Sequence, residues 1–514
     1  MISQVIYILF DYISLSVFII SVITYYFSTS SYDKWLKLNV PHIRPVPLFG
    51  NTLKLSMKLE HQVDTFDRIY KQFPDEKYCG LYKMKTPYLM IRDPELINKI
   101  IVKDFSYFTD RGFDGVYTDP AINVMANSLL FLKGQKWRMM RQKLKSGFTP
   151  NKIISMHDKI NECAEHLMKN IDEKLKHTDQ IQVKQAMGNY STDVIGTCVF
   201  GLKLDTIKND NSEFRKHAKK IFHQSRFKLF LIQILQTISL KLVKSLKLQL
   251  FPRDSTTFFY SVFKSVINHR EENNVVKNDL TQILVEAKKE LLFNDNLTDK
   301  NKFMESDIIG NAILFFVSGS GTVTSTLALC FYELALNKHV QDKLRKEINT
   351  NIEKHGAQLN NNFIMDLHYA NMVLNETARM YSITCVLLRE ATKMYNVPDE
   401  PIIIEKGQKI IIPLYNIHND PKYYPDPQIF NPERFSTEQN FKRMNGTFIP
   451  FGDGPRMCLG KRLAEIEMLL ILSKVLTKYE ILPCEKTEIP LDIKNGSGFI
   501  SSKNEIWLNF KLIA

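Results

Sequence analysis

Hydrophobic and polar positions divide this chain into distinct stretches. From residue 2 to 27 nearly every position is apolar, with Asp11 the single charge, and the run is long enough for a helix across a bilayer, about 20 residues. A membrane anchor is expected, with Asp11 toward one interface or near the start of a shorter span beginning at Tyr12, because a mid-bilayer carboxylate is costly. Pro41, Pro45, Pro47, Gly50 and Asn51 follow, a turn-rich segment that cannot continue a helix. Beyond it, apolar residues recur at helical spacing in 137–145, 152–174, 307–336, 340–354, 371–381 and 461–478, which predicts helices there. Short β-like runs fall at 88–91, 401–404, 409–413 and near the C-terminus. The fold class is therefore mainly α with small β-sheets. No internal repeat, low-complexity linker or composition break marks a second catalytic unit. The expected division is an anchor over 1–30, a Pro-rich hinge over 31–51 and one catalytic domain over 52–514.

Composition narrows the class. Over 514 residues, 44% hydrophobic and 24% charged side chains describe a globular protein able to bury a large core. The net charge of +13 suits an acidic partner, which could be nucleic acid, an anionic membrane or an acidic redox protein. Between Glu213 and Asp254 no acidic residue occurs, while Lys and Arg interleave with Leu229, Phe230, Ile234, Leu235, Leu242 and Leu246. That pattern fits a membrane surface, or an ordinary surface helix pair with solvated lysines. No Lys or Arg precedes the apolar run, whereas Lys34, Lys37 and Arg44 follow it, so the positive-inside bias places the body in the cytoplasm. A cleaved signal peptide is the competing reading. The missing basic n-region argues against it, although Ser28, Thr29, Ser30 and Ser31 are small. The seven cysteines are widely spaced, without a CxxC pair or a disulfide framework. Six of them read as small buried apolar side chains; Cys458 is the exception.

Phe451-Gly-Asp-Gly454-Pro-Arg456-Met-Cys458-Leu-Gly460 precedes a predicted helix starting near Lys461. Glycines let such a loop take unusual dihedrals and turn backbone N–H groups toward the sulfur, and the following helix dipole favours a thiolate. The run matches FxxGxRxCxG and resembles the Cys-pocket signature of the cytochrome P450 superfamily at Phe451, Gly454, Arg456, Cys458 and Gly460. The resemblance implies that Cys458 is the axial ligand of a haem b iron, that Phe451 packs near the sulfur and that Arg456 pairs with a haem propionate. A thiolate ligand pushes electron density that assists O–O cleavage.

Further motifs extend the resemblance over roughly residues 30 to 510. Glu376-Thr-Ala-Arg379 resembles ExxR and Pro432-Glu-Arg434-Phe435 resembles the PERF segment; residues three apart share a helix face, so Glu376, Arg379 and Arg434 can form one network. It reads as structural support for the haem core. Trp137-Arg-Met-Met-Arg141 matches WxxxR, in which the family's Arg reaches a propionate and the Trp packs nearby. Arg389 resembles a third propionate partner, as charge buried in a low-dielectric pocket requires. Asp110-Arg-Gly and the stretches 145–149, 191–201 and 415–435 look similar to the insect microsomal detoxification branch. Sequon-like triplets at Asn375 and Asn445 fall beside these motifs, where a glycan would disrupt them.

One departure stands out in 318–323. The family's oxygen-binding helix carries Ala/Gly-Gly-x-Asp/Glu-Thr; here Gly321 stands where the acid should be, followed by Thr322 and preceded one turn earlier by Ser318. Asp307 lies about 22 Å away along a helix and cannot substitute. Thr322 and Ser318 are the expected catalytic pair, on one face and able to order water and protons; back-bonding of Thr322 within its helix is the plainer alternative. The implied activity is insertion of one oxygen atom from O2 into a lipophilic small molecule. A separate NADPH–cytochrome P450 reductase, and cytochrome b5 as a possible second donor, would supply electrons, since the chain has no GxGxxG-type motif of its own. The reductase would dock near Lys461, Arg462 and Arg443. Nucleic acid is excluded as a partner, and the endoplasmic reticulum membrane is the implied location. Gly321 alone supports two alternatives, a reductase-independent peroxide isomerase or dehydratase and a haem or hydrophobe-binding protein without turnover. Phe113, Phe315, Val386 and Phe499 are candidate pocket residues.

Overall fold

The computed structural model describes residues 2–209, 211–221, 225–292, 302–356, 359–493 and 499–513. The apolar run forms one helix, Ile2–Thr29, whose Phe10–Thr29 portion is long and apolar enough to cross a membrane. The segment after it is docked. Trp35 lies 1% exposed against Gly80, where a Cβ would meet the indole ring at 2.4 Å, and Tyr32 packs on Tyr82. Prolines there bend the chain along the body, and the buried Trp35 fixes it.

Among the described residues nine short strands occur in chain order: β1 (Tyr78–Lys83), β2 (Thr86–Ile91), β3 (Gln180–Gln182), β4 (Leu387–Glu390), β5 (Tyr395–Asn396), β6 (Ile403–Ile404), β7 (Lys409–Ile412), β8 (Tyr479–Pro483) and β9 (Trp507–Leu512). They form sheets ordered β1-β2-β7-β4, β3-β9-β8 and β5-β6. In the four-stranded sheet only β2 and β7 run parallel, with Leu89 opposite Ile410. The sheet has its own apolar core, built on Leu81, Leu89, Ile91, Ile410 and Ile412.

The larger core surrounds the central helix Glu305–Leu336. This helix also passes the length and hydropathy test for a span, but most of it is buried by neighbours, including the helix Val183–Val194, so its apolarity serves the protein interior. Its buried positions are interrupted along one face, where Leu314, Phe315, Ser318, Thr322, Ser325 and Thr326 keep accessible surface. Those positions recur every three or four residues, one stripe of a helix.

The predicted helix over 152–174 is two helices, Pro150–Ser155 and His157–Leu175. Met156 ends the first by donating its N–H back to Ile153, and the kink lets Ile153, Met156 and Ile160 reach one core. The run over 461–478 forms Lys461–Lys478. Of the basic stretch, the helices Arg226–Ile238 and Leu240–Ser245 are described, and 222–224 lie outside the described residues.

Candidate active site

The loop 449–460 takes its shape from backbone bonds and two glycines. Gly452 donates to the Ile449 carbonyl, Met457 to Gly454 and Cys458 to Phe451. Gly452 and Gly454 have φ of 71° and 66°, the left-handed region that other residues avoid. At Gly454 a side chain is excluded twice over, because a Cβ would lie 2.1 Å from the Ile101 carbonyl oxygen. Gly460 differs: nothing of the protein lies within 4 Å of its Cβ position, so no protein neighbour demands a glycine there. Phe451 lies beneath the Lys461 ammonium, 5.7 Å from its ring centre.

Of the seven cysteines Cys458 alone is exposed; Cys484 is partly so and the rest are buried. Yet protein surrounds the Cys458 thiol closely enough that burial raises its pKa, against the lowering effects of the Gly460 N–H and the Arg141 and Arg111 charges.

Four guanidiniums converge beside it. Arg456 donates Nε to the Thr109 carbonyl at 2.6 Å and Nη2 to Leu132 at 2.9 Å, and lies 4.1 Å above the Trp137 ring. Arg141 donates to the Met457 carbonyl at 2.7 Å, Arg389 to Leu388 at 2.9 Å and Arg111 reaches the Arg456 carbonyl at 3.5 Å. The Nε atoms of Arg111 and Arg389 are buried without a hydrogen-bond partner. Against these four charges stands Asp110, 3.7 Å from Arg456. Burial, followed by the neighbouring guanidiniums, pushes Arg456 down to about 8; burial and Arg111 push Arg389 to about 9. Four like charges, partly or wholly buried with one carboxylate among them, are costly, and a dianionic group among them would lower that cost. Arg111 was not singled out by motif; its place two residues before Phe113, in the Asp110-Arg-Gly stretch, was the available signal.

Glu376, Arg379 and Arg434 meet in the fold. Glu376 and Arg379, both fully buried, form a bidentate pair at 2.7 and 2.9 Å on the helix His368–Tyr381. Arg434 Nε stands 3.4 Å from Glu376, an ion pair without a hydrogen bond, since its Nε is unpartnered; its Nη2 donates to Asp426. Arg379 also donates to the carbonyls of His418 and Pro427 at 3.0 and 2.7 Å, tying the helix to the chain before the cysteine loop. His418, which no motif indicated, completes the tie. Its Nε2 accepts from the Ile449 N–H at 3.1 Å, so Nδ1 carries the proton toward Ser382, 2.6 Å away. Burial, then Arg379 and Arg443, hold it down to about 3.

On the central helix, Thr322 Oγ1 donates to the Ser318 carbonyl at 2.8 Å, the back-bond noted as the plainer alternative. This commits its proton and leaves its oxygen lone pairs on the accessible stripe. Ser320, Thr324, Ser325 and Thr326 bond back the same way. Asp307 is occupied elsewhere: buried, it pairs with Lys136 at 2.9 Å and caps the Met304 N–H. Arg443 is partly exposed, as Lys461 and Arg462 are. Its guanidinium lies over Phe435 and Phe448, 4.3 and 5.4 Å from their ring centres, and donates to the Arg434 carbonyl.

The cytochrome P450 family model matches residues 40–510. Among similar proteins, probable cytochrome P450 6a13 of Drosophila melanogaster is 34% identical over 497 residues, covering 96% of this chain and 98% of its own length. Cytochrome P450 6k1 of Blattella germanica is 32% identical over 509 residues, 96% of each, and cytochrome P450 6B2 of Helicoverpa armigera 30% over 495 residues, again 96% of each.

The chain belongs to the cytochrome P450 family.

It is a haem-thiolate monooxygenase of the insect type, and the comparisons give no support to a peroxide-rearranging or binding-only protein. The cofactor of cytochrome P450 is haem iron, and the family works on lipophilic substrates with redox partners. The residues here fit that cofactor. A thiol with accessible surface, a glycine whose Cβ direction is open and four arginines short of counter-charge match a flat macrocycle bearing carboxylates.

Proposed function

We propose that haem b is held between the Cys458 loop and the Ser318–Thr326 stripe of the central helix, with Cys458 as its iron ligand. The observation that carries this reading is the cluster of Arg111, Arg141, Arg389 and Arg456 beside Cys458, in which the buried Nε atoms of Arg111 and Arg389 have no hydrogen-bond partner. Those arginines take the two propionates, Trp137 positions Arg456 from beneath, and Gly460 leaves room for the ring. Phe451 shields the sulfur from water, Gly454 sets the loop, and Glu376, Arg379 and Arg434 brace the fold behind it. When bound, the haem iron activates O2, and the thiolate assists O–O cleavage. Thr322, its proton spent on Ser318, acts as a hydrogen-bond acceptor. Ser318 and pocket water carry protons in place of the missing carboxylate at Gly321.

The chain divides into an anchor over 1–30, a connecting segment over 31–51 and a catalytic domain over 52–514. The anchor crosses the endoplasmic reticulum membrane with the domain on the cytosolic side, as Lys34, Lys37 and Arg44 after the span favour. Phe227, Ile238, Leu242 and Leu246 on the two basic helices are exposed, and Phe49 stacks on Phe230 at 6.1 Å, so the connecting segment and these helices share a lipid-facing side. NADPH–cytochrome P450 reductase, with cytochrome b5 as a second donor, meets the partly exposed Lys461 and Arg462, beside the exposed Arg138 and Lys145 of the WxxxR helix. The test is stoichiometry with purified reductase in lipid vesicles. NADPH consumption coupled to oxygenated product is expected. Fast turnover of a lipid hydroperoxide without reductase, and none with it, would replace this reading.

A further inference from the structure

The stretch from Thr109 to the short helix Gly115–Thr118 is gripped at one end by the arginine cluster and at the other by the basic helices. At the first end, Thr109 accepts from Arg456, the Asp110 carbonyl accepts from the Glu390 N–H at 2.8 Å, and a Cβ on Gly112 would meet the Arg389 carbonyl oxygen at 2.6 Å. Phe113 then packs edge-on to Phe131 at 4.8 Å, and Phe131 stacks on Tyr117 at 6.1 Å. Phe131 lies between Leu129 and Leu132, whose carbonyls face Arg456. These aromatic rings therefore sit one layer from the arginine cluster.

At the second end, a Cβ on Gly115 would come within 3.1 Å of Leu240. Val116 shares a small separate core with Ile232, Val243 and Leu250, and Asp119 pairs with Lys244 at 2.5 Å. The short helix thus rides on the helices proposed to rest on lipid. Midway, a charged tie runs to the rigid sheet: the Asp114 carboxylate accepts from Lys83 Nζ at 2.9 Å and from Tyr88 Oη at 3.0 Å. Lys83 and Tyr88 belong to β1 and β2, while Asp114 lies in the loop before the helix. The pair is partly covered, with side-chain exposures of 30% for Lys83 and 16% for Asp114, and removing the carboxylate takes both of its hydrogen bonds from the sheet.

We infer that Asp114 is a positioning residue for substrate selection: its tie to Lys83 and Tyr88 holds Phe113 and Tyr117 as a fixed wall of the substrate space and stops them following the lipid-facing helices. The inference rests on the proposed haem placement. Released from the sheet, the wall moves with the helix outward, and longer substrates gain more than short ones.

The test measures spectral dissociation constants of full-length protein in phosphatidylcholine vesicles for 7-methoxycoumarin and 7-octyloxycoumarin. Haem content and the ferrous carbon monoxide band are recorded for each sample. Asp114→Asn is expected to shift the ratio of the two constants toward the octyloxy compound by at least about threefold, on the haem-loaded fraction. Asp114→Glu, which keeps the charge, shifts it less. Loss of stability alone would lower haem content without moving the ratio. Should Asp114→Asn fail to load haem, Tyr88→Phe removes one hydrogen bond at constant charge and is expected to shift the ratio in the same direction. An unchanged ratio in haem-loaded Asp114→Asn, or in Tyr88→Phe where the first does not load, overturns the inference. A wild-type protein that lacks the thiolate carbon monoxide band would instead strike the haem reading, and this inference with it.

Discussion

Glu467→Gln is expected to flatten the pH dependence of stability between about pH 5 and 8. Glu467 lies on the helix Lys461–Lys478, 1% exposed, with neither carboxyl oxygen hydrogen-bonded. Burial raises its pKa from 4.5 to about 8, Ser191 opposing slightly. The folded protein therefore holds a proton that the unfolded chain releases above 4.5, so the group's contribution is fully favourable below 4.5 and is lost as pH rises toward 8. Each unit costs about 1.4 kcal/mol, so about 3 kcal/mol is gone by pH 7. Glutamine cannot ionise, but its amide also lacks partners, a cost that does not vary with pH. The slope, rather than the offset, is diagnostic. Thermal midpoints of haem-loaded protein at one heating rate, from pH 5 to 8, should diverge by about 1–2 °C per pH unit in favour of the variant. A constant difference across that range would show that Glu467 is ionised in the fold and that the argument from its burial is wrong.

His418 gives the opposite limb: held down to about 3 from 6.5, it contributes stability above 6.5 that is lost as pH falls toward 3, about 2 kcal/mol by pH 5. His418→Gln should make acid denaturation shallower, read by the same midpoints between pH 5 and 7. Thr322→Ala should lower product per NADPH by about tenfold or more, with hydrogen peroxide making up the balance, while Gly321→Glu moves both the other way; unchanged stoichiometry would remove Thr322 from proton handling. Deleting residues 1–27 should leave a haem-loaded protein that still binds anionic vesicles at low salt through the basic helices, and complete solubility there would reject their lipid role.

What the sequence made legible was local. The Cys458 loop, ExxR and PERF are short runs whose spacing is itself the signal, and the central helix announced itself by apolar residues at helical spacing on both sides of a Ser/Gly/Thr stretch. What it hid was long-range. Arg111 joins Arg456 across 345 positions, and His418 reaches Ile449 across 31; no periodicity records such meetings. Asp114 reads as an ordinary turn acid until β1 and β2 bring Lys83 and Tyr88 to it. The rings of Phe435 and Phe448 beneath the Arg443 guanidinium are a meeting of the same kind. The apolarity of 307–336 was ambiguous in isolation, and only its neighbours show that it serves a core instead of a bilayer.

The central claim is that Cys458 ligates the haem iron, and the carbon monoxide difference spectrum of the dithionite-reduced protein tests it most directly. The wild-type protein should show the strongly red-shifted band of a thiolate-ligated ferrous haem. Cys458→His should bind haem through the same four arginines and give only the band of a nitrogen-ligated haem. Retention of the red-shifted band in that variant would contradict the assignment.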